Sequence, residues 1–154
     1  MVATAAIEIE AGAVPIAQGL FHWPLDRAVL LCGKCSVCGA YAFPKASVCV
    51  RCTSSDVVTV DLPQTGRLWT YTIQNFLPKR PYLGAEHPAE FVPYGVGYVE
   101  FEGCLRVEGI IVEDDPDRLQ ITQEMKCVFI PIGRDENGRQ IVTYAFIAAR
   151  GSQL

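Results

Sequence analysis

The sequence predicts a mainly β chain in three parts: an N-terminal segment with a short helix, a cysteine-rich ribbon and a small closed barrel. Three observations carry this. Five of the seven cysteines fall within 21 residues, Cys32 to Cys52. From Val57 onward, short apolar runs are punctuated by turn residues. No long helical period and no internal repeat occur anywhere.

The N-terminal part, residues 1–31, is the least specified. Gly12, Pro15 and Gly19 interrupt any period. Residues 21–31 (FHWPLDRAVLL) are expected to begin a short helix, with Pro24 in its first turn. Phe21 and Trp23 stand just ahead of it, placed to pack on the ribbon or on a partner.

Residues 32–56 form the ribbon. Cys35-x2-Cys38 and Cys49-x2-Cys52 are two tight pairs, each able to offer two sulfurs to one metal ion from a single turn. Four thiolates in a tetrahedron suit zinc. A redox dithiol and paired reduced core cysteines are the other readings of such spacing. Lys34, Lys45 and Arg51 interleave with the cysteines and argue against a core. Cys32-x2-Cys35 is also a legal pair, but Gly39 follows Cys38, where a small residue frees backbone amides to face sulfur. Four thiolates would leave no open coordination position, so the expected metal is structural. Some 25 residues cannot bury a core of their own, and metal binding would supply the missing stability, on the order of 10 kcal/mol. Cys104 and Cys127 lie in strand-like runs and read as small buried apolar residues.

Residues 57–154 form the barrel. Val57–Leu62, Arg67–Gln74, Tyr94–Phe101, Leu105–Val112, Lys126–Ile132 and Gln140–Ala149 read as strands. Within Arg67–Gln74 the alternation sets Trp69, Tyr71 and Ile73 on one face. Asp135-Glu-Asn-Gly138 is a hairpin turn. About five principal strands in roughly 85 residues fit a five-stranded Greek-key barrel of OB type, in which closure removes exposed edges. An SH3-like barrel and a small sandwich fit the same count. Gly95 and Gly97 read as points of close backbone approach. Residues 75–93 hold four prolines, His87 and several aromatics. They are either a stiffened surface loop or a docking arm. Lys79 and Arg80 within them are a weak candidate for phosphate contact, against the simpler reading of a solvated pair.

Composition narrows the function. The chain has 154 residues, 50% of them hydrophobic, enough for a real core. Thirteen basic residues face seventeen acidic ones, for a net charge of −4. That balance opposes nucleic-acid binding, although Trp69, Tyr71 and Tyr98 are of the type that stack on bases. No apolar run reaches the roughly 18 residues of a membrane span. Residues 1–20 carry Glu8 and Glu10 and no basic start, so a cytoplasmic location is expected. Cys104 and His87 match catalytic residues by type only. There is no nucleophile-elbow, Walker or complete dinucleotide motif.

The order of parts is more telling than any one of them. Cys35-Ser-Val-Cys38-Gly39 is followed by Phe43-Pro44 and by Cys49-Val-Arg-Cys52. Then come Gly66-Arg-Leu-Trp-Thr-Tyr-Thr72 and Pro93-Tyr94-Gly-Val-Gly-Tyr-Val-Glu100. From about Leu20 to Phe146 the chain resembles the DUF35 family, in which a rubredoxin-like zinc ribbon precedes an OB-fold. Glu124, before Met125, departs from the family's usual glycine, and Cys32 stands where the family usually has another residue. The resemblance implies zinc on Cys35, Cys38, Cys49 and Cys52. It also implies a non-catalytic accessory subunit in a hetero-oligomer with a thiolase-fold protein. That partner would be a thiolase, acyltransferase or aldolase acting on acyl-CoA and would carry the nucleophilic cysteine. The DUF35 subunit would support assembly and acyl-CoA access.

Overall fold

The computed structural model describes residues 8–80, 85, 87–113 and 116–149. Nine strands run in chain order: β1 Val14–Pro15, β2 Leu31–Cys35, β3 Tyr41–Ala42, β4 Val57–Asp61, β5 Thr65–Gln74, β6 Tyr94–Phe101, β7 Leu105–Ile111, β8 Glu124–Arg134 and β9 Gln140–Ala148. The helical segments among the described residues are two single 3-10 turns, Pro88–Glu90 and Pro116–Arg118.

Alternating residues drive β5 to β9 into a closed barrel. The strands pair in the order β9–β7–β6–β5–β8, and β8 pairs back to β9. Closure at β5–β8 sets Gly66 opposite Met125. All barrel pairings are antiparallel except β7–β9, where Ile110 meets Ala145 and Ile111 meets Phe146. Five strands closed with one parallel seam form an OB barrel; the SH3-like and sandwich alternatives fall away. Inside lie Leu68, Val99, Phe101, Val107, Ile111, Met125, Cys127 and Phe146. The opposite faces of β8 and β9 carry a second apolar cluster, with Ile130 and Ala145 buried and Val128, Ile132 and Ile147 packed against them.

Gly97 shows why β6 needs glycine. A Cβ there would sit 2.7 Å from the Thr70 carbonyl oxygen and 3.1 Å from Tyr71 Cβ. The β5–β6 register shifts between Leu68 and Thr70. This bulge changes the alternation. Leu68 is buried and Tyr71 packs on the same core, while Trp69 between them is exposed. Trp69 and Tyr71 therefore do not share a face, contrary to simple alternation.

The ribbon is a second sheet, β3–β2–β4. β4 pairs along the whole of β2, from Leu31–Asp61 to Cys35–Val57. Residues 57–61 thus belong to the ribbon sheet, and the boundary expected at 56/57 falls inside it. The two sheets share one core. Phe21, Leu30, Cys32 and Leu62 join the barrel residues in a single cluster. Phe21 meets Phe129 with ring centroids 4.7 Å apart, and Phe43 meets Tyr144 edge-on at 5.5 Å.

The short helix expected over 21–31 does not form. Phe21 and Leu30 make an antiparallel bridge, and the Leu31 N–H donates to the Leu20 carbonyl. The physical reason is burial at both ends. Phe21 and Leu30 are 3% and 1% exposed. Nine residues at about 100° each would put them on opposite sides of a helix; a closed loop sends both inward.

Among the described residues of the N-terminal part, Val14 and Pro15 form a short strand. β1 runs parallel to β9 through Val14–Ile141 and Pro15–Val142. The side-chain amide of Gln140 accepts from the Glu10 N–H at 3.0 Å and donates to the Glu8 carbonyl at 3.3 Å. Arg134 forks the Glu10 carboxylate at 2.6 and 2.9 Å.

Candidate functional site

The two knuckles are built alike. In the first, the Cys35 N–H donates to the Ala40 carbonyl and the Gly39 N–H to the Cys35 carbonyl, both at 2.9 Å. In the second, the Cys49 N–H donates to the Ser54 carbonyl at 2.8 Å and the Thr53 N–H to the Cys49 carbonyl at 3.0 Å. Each turn needs a left-handed residue four places after its first cysteine: Gly39 at φ 72° and Thr53 at φ 60°. Glycine takes that conformation freely, whereas threonine is strained there. The Ser36 N–H donates to the Asp56 carbonyl and ties the first turn to the start of β4.

These turns bring four sulfurs together. The Sγ atoms of Cys35, Cys38, Cys49 and Cys52 all lie within 4.8 Å of one another. Cys35–Cys52 and Cys38–Cys49 are each 3.6 Å apart. A metal held by four sulfurs at about 2.3 Å in a tetrahedron requires sulfur separations near 3.8 Å. The donor set therefore fits a metal ion closely. Cys35 and Cys49 are buried, Cys38 and Cys52 partly open.

Backbone amides already favour charge on sulfur. The N–H groups of Cys52 and Arg51 push Cys49 down to about 6, the Arg51 nitrogen lying 3.4 Å from its Sγ. At Cys52 the Ser54 N–H pulls the same way, but proton sharing with Cys38, burial and the other two thiols outweigh it and push Cys52 up to about 12. Of these two, Cys49 is the readier to ionise.

The remaining cysteines are separate from this cluster. Cys32 is fully buried, and burial, then Cys104 and Asp61, push its thiol up to about 11. Burial alone pushes Cys127 up to about 12. Both are apolar packing residues, the reading its strand-like run gave Cys127; Cys104, expected to be buried in the same way, is only partly so. Cys104 is half-buried at the β6–β7 turn, its N–H donating to the Phe101 carbonyl. His87 caps the turn at Pro88–Glu90, its Nδ1 accepting from the Ala89 N–H at 3.3 Å.

Of the aromatics considered for stacking, Trp69 and Tyr98 are exposed side by side, ring centroids 6.2 Å apart. Arg106 lies over the Trp69 ring at 3.9 Å and is held by Glu100 at 2.9 Å. Tyr71 turns inward toward Leu119. Lys79 and Arg80 are exposed in the segment after β5. Sequence reasoning missed Thr53, the Gln140 clamp and the His22–Asp61–Arg27 cluster, in which both bases lie 2.9 Å from the Asp61 carboxylate. Only the isolated acidic residues of the arm, Glu8 and Glu10, hinted at any such anchoring.

A four-sulfur ribbon sharing its core with an OB barrel defines a class of two-part β proteins, and comparison with known proteins places the chain within it. The family described as "ChsH2, C-terminal OB-fold domain" matches residues 59–129. A "DUF35 domain-containing scaffold protein" of Methanocaldococcus jannaschii is 26% identical, over 79% of this chain and 81% of its own length. One of the same description from Methanothermobacter thermautotrophicus is 29% identical, over 81% and 88%. "Benzoylsuccinyl-CoA thiolase subunit BbsA" of Thauera aromatica is 27% identical, over 82% and 83%. Among solved structures, a chain of the "Ltp2-ChsH2(DUF35) aldolase" shares the fold, with a TM-score of 0.57 and 24% identity over 79% of this chain and 85% of that one. Over most of its length the chain is thus similar to proteins described as DUF35 scaffold proteins.

Proposed function

We propose that this chain is a non-catalytic, zinc-holding accessory subunit of a thiolase-superfamily complex acting on acyl-CoA. The observation that carries the reading is the union of ribbon and barrel in one core, in a chain similar along most of its length to DUF35 scaffold proteins and to a benzoylsuccinyl-CoA thiolase subunit. Cys35, Cys38, Cys49 and Cys52 hold the zinc. When bound, the ion cross-links the two knuckles; four sulfurs fill its shell and leave no position for substrate. Such an ion is structural, and the chemistry belongs to the partner.

The partner is a thiolase-fold protein, whether thiolase, acyltransferase or aldolase, with acyl-CoA at or near the interface. Trp69, Tyr98 and Arg106 are of the types that dominate protein interfaces. Arg106 stacked on Trp69, with Glu100 and Glu108 beside them, makes the same face a poor seat for nucleic acid. Lys79 and Arg80 are the proposed contact for acyl-CoA phosphates.

The test is affinity purification of the tagged protein from its native host, with mass spectrometry of what accompanies it. A stoichiometric thiolase-fold protein is expected. RNA or DNA retained through a moderate salt wash, with no such partner, refutes the proposal. In the reconstituted complex, Lys79→Glu with Arg80→Glu should raise KM for acyl-CoA while assembly persists. An unchanged KM removes the phosphate assignment.

A further inference from the structure

We propose that the four-cysteine cluster is also a site of reversible oxidation, closing into two disulfides that join the knuckles: Cys35 to Cys52 and Cys38 to Cys49. The inference rests on cluster geometry and is independent of which partner the chain serves. Both sulfur–sulfur hydrogen bonds run between knuckles, at 3.6 Å each. Each pair joins one partly open sulfur to one buried sulfur: Cys52 with Cys35, and Cys38 with Cys49. That is the arrangement a two-step oxidation needs, an accessible sulfur to meet the oxidant and a sheltered one within reach to resolve it.

The oxidant class is a hydroperoxide. The open sulfur attacks one peroxide oxygen; an S–O bond forms, the O–O bond breaks, and alkoxide or hydroxide leaves. The buried sulfur then attacks the sulfenic sulfur; the S–S bond forms, the S–O bond breaks, and hydroxide leaves. Each pair gives up two electrons and one peroxide takes them. Protons from solvent convert the leaving groups to water or alcohol. The metal ion departs as its four ligands are consumed. A dithiol reductant reverses both bridges by thiol–disulfide exchange. The bridges replace the metal as cross-links between the knuckles, so the ribbon stays closed. Cys32 and Cys127 are 0% and 4% exposed and stay out of the reaction.

The experiment uses the full-length, metal-loaded protein and hydrogen peroxide. A chromophoric chelator follows metal release, and non-reducing tryptic mapping follows the bridges. Cleavage after Lys34, Lys45, Arg51 and Arg67 places Cys35 and Cys38 on one peptide, Cys49 on a second and Cys52 on a third. The expected product is all three peptides linked together, with fragmentation assigning 35–52 and 38–49, metal released in step, and full reversal by a dithiol. An internal bridge between Cys35 and Cys38 overturns the proposal. So does a 35–49 with 38–52 pairing, sulfinic acid at any of the four, or metal retained on unmodified sulfurs after excess peroxide. A Cys38→Ser variant gives a second reading: it should still form the 35–52 link alone, and a 35–49 link in its place counts against the assignment.

Discussion

Stripping the metal should destabilise the whole chain as one unit, not the ribbon alone. Phe21, Leu30 and Leu62 come from the arm and ribbon, yet each is at most 3% exposed within the core shared with the barrel. At about 2 kcal/mol per fully buried side chain, those three supply roughly 6 kcal/mol of transfer free energy to the common core, an upper estimate. A typical domain has only about 5–15 kcal/mol in total. For a chain of this length each kcal/mol moves Tm by about 2–4 °C, so chelation should lower Tm by roughly 10–25 °C. Calorimetry with and without a chelator measures this directly, and near-UV signals of the barrel aromatics should fall in the same transition. Two separate transitions, with the barrel one unmoved by chelation, would refute the shared-core reasoning. Cys49→Ser should reproduce the effect and lower metal content.

Three further outcomes follow from local geometry. Gly97→Ala drives a methyl into the Thr70 carbonyl and should cost about 1–3 kcal/mol, read from urea midpoints. Thr53→Gly relieves a left-handed threonine at some cost in chain entropy and one hydroxyl bond to the Cys52 carbonyl; a net gain of up to about 1 kcal/mol is expected, and a clear loss of stability argues that the hydroxyl outweighs the strain. Arg134 holds the Glu10 carboxyl below its ordinary range. That contribution is complete above the unfolded value near 4.3 and is lost as pH falls through the depressed folded value. Amide exchange at Ile16, whose N–H donates to Val142, should accelerate relative to its intrinsic rate on acidification below about pH 4; constant protection removes Glu10 as the arm's anchor.

The knuckles and barrel strands were legible because their determinants are local. Cysteine spacing and two-residue alternation are short-range signals, and Gly97 announces a close contact by lacking a side chain. What escaped depends on distance or on one extra residue. The bulge at Leu68–Thr70 turns Trp69 outward, and no pattern within β5 reveals it. β4 joined the ribbon because β2, 26 residues earlier, offered it an edge; the sequence of β4 suits either sheet. The helix expected over 21–31 failed because tertiary burial of both ends outweighed local propensity. Thr53 hides because threonine seldom marks a left-handed turn, although its place mirrors Gly39.

The arm's seat on β9 carries a consequence for how the protein is made. Glu10 and the Gln140 side chain that receives it are 130 positions apart. At about 5–20 residues per second, synthesis takes roughly 7–26 s to deliver the second after the first. During that interval β1 waits for β9, its partner in the finished fold. Neighbouring chains on the same message pass through this stage in succession, so a newly made β9 emerges close to other waiting arms. Exchange of arms between copies is thus a hazard of birth, settled before any finished molecule exists to be purified.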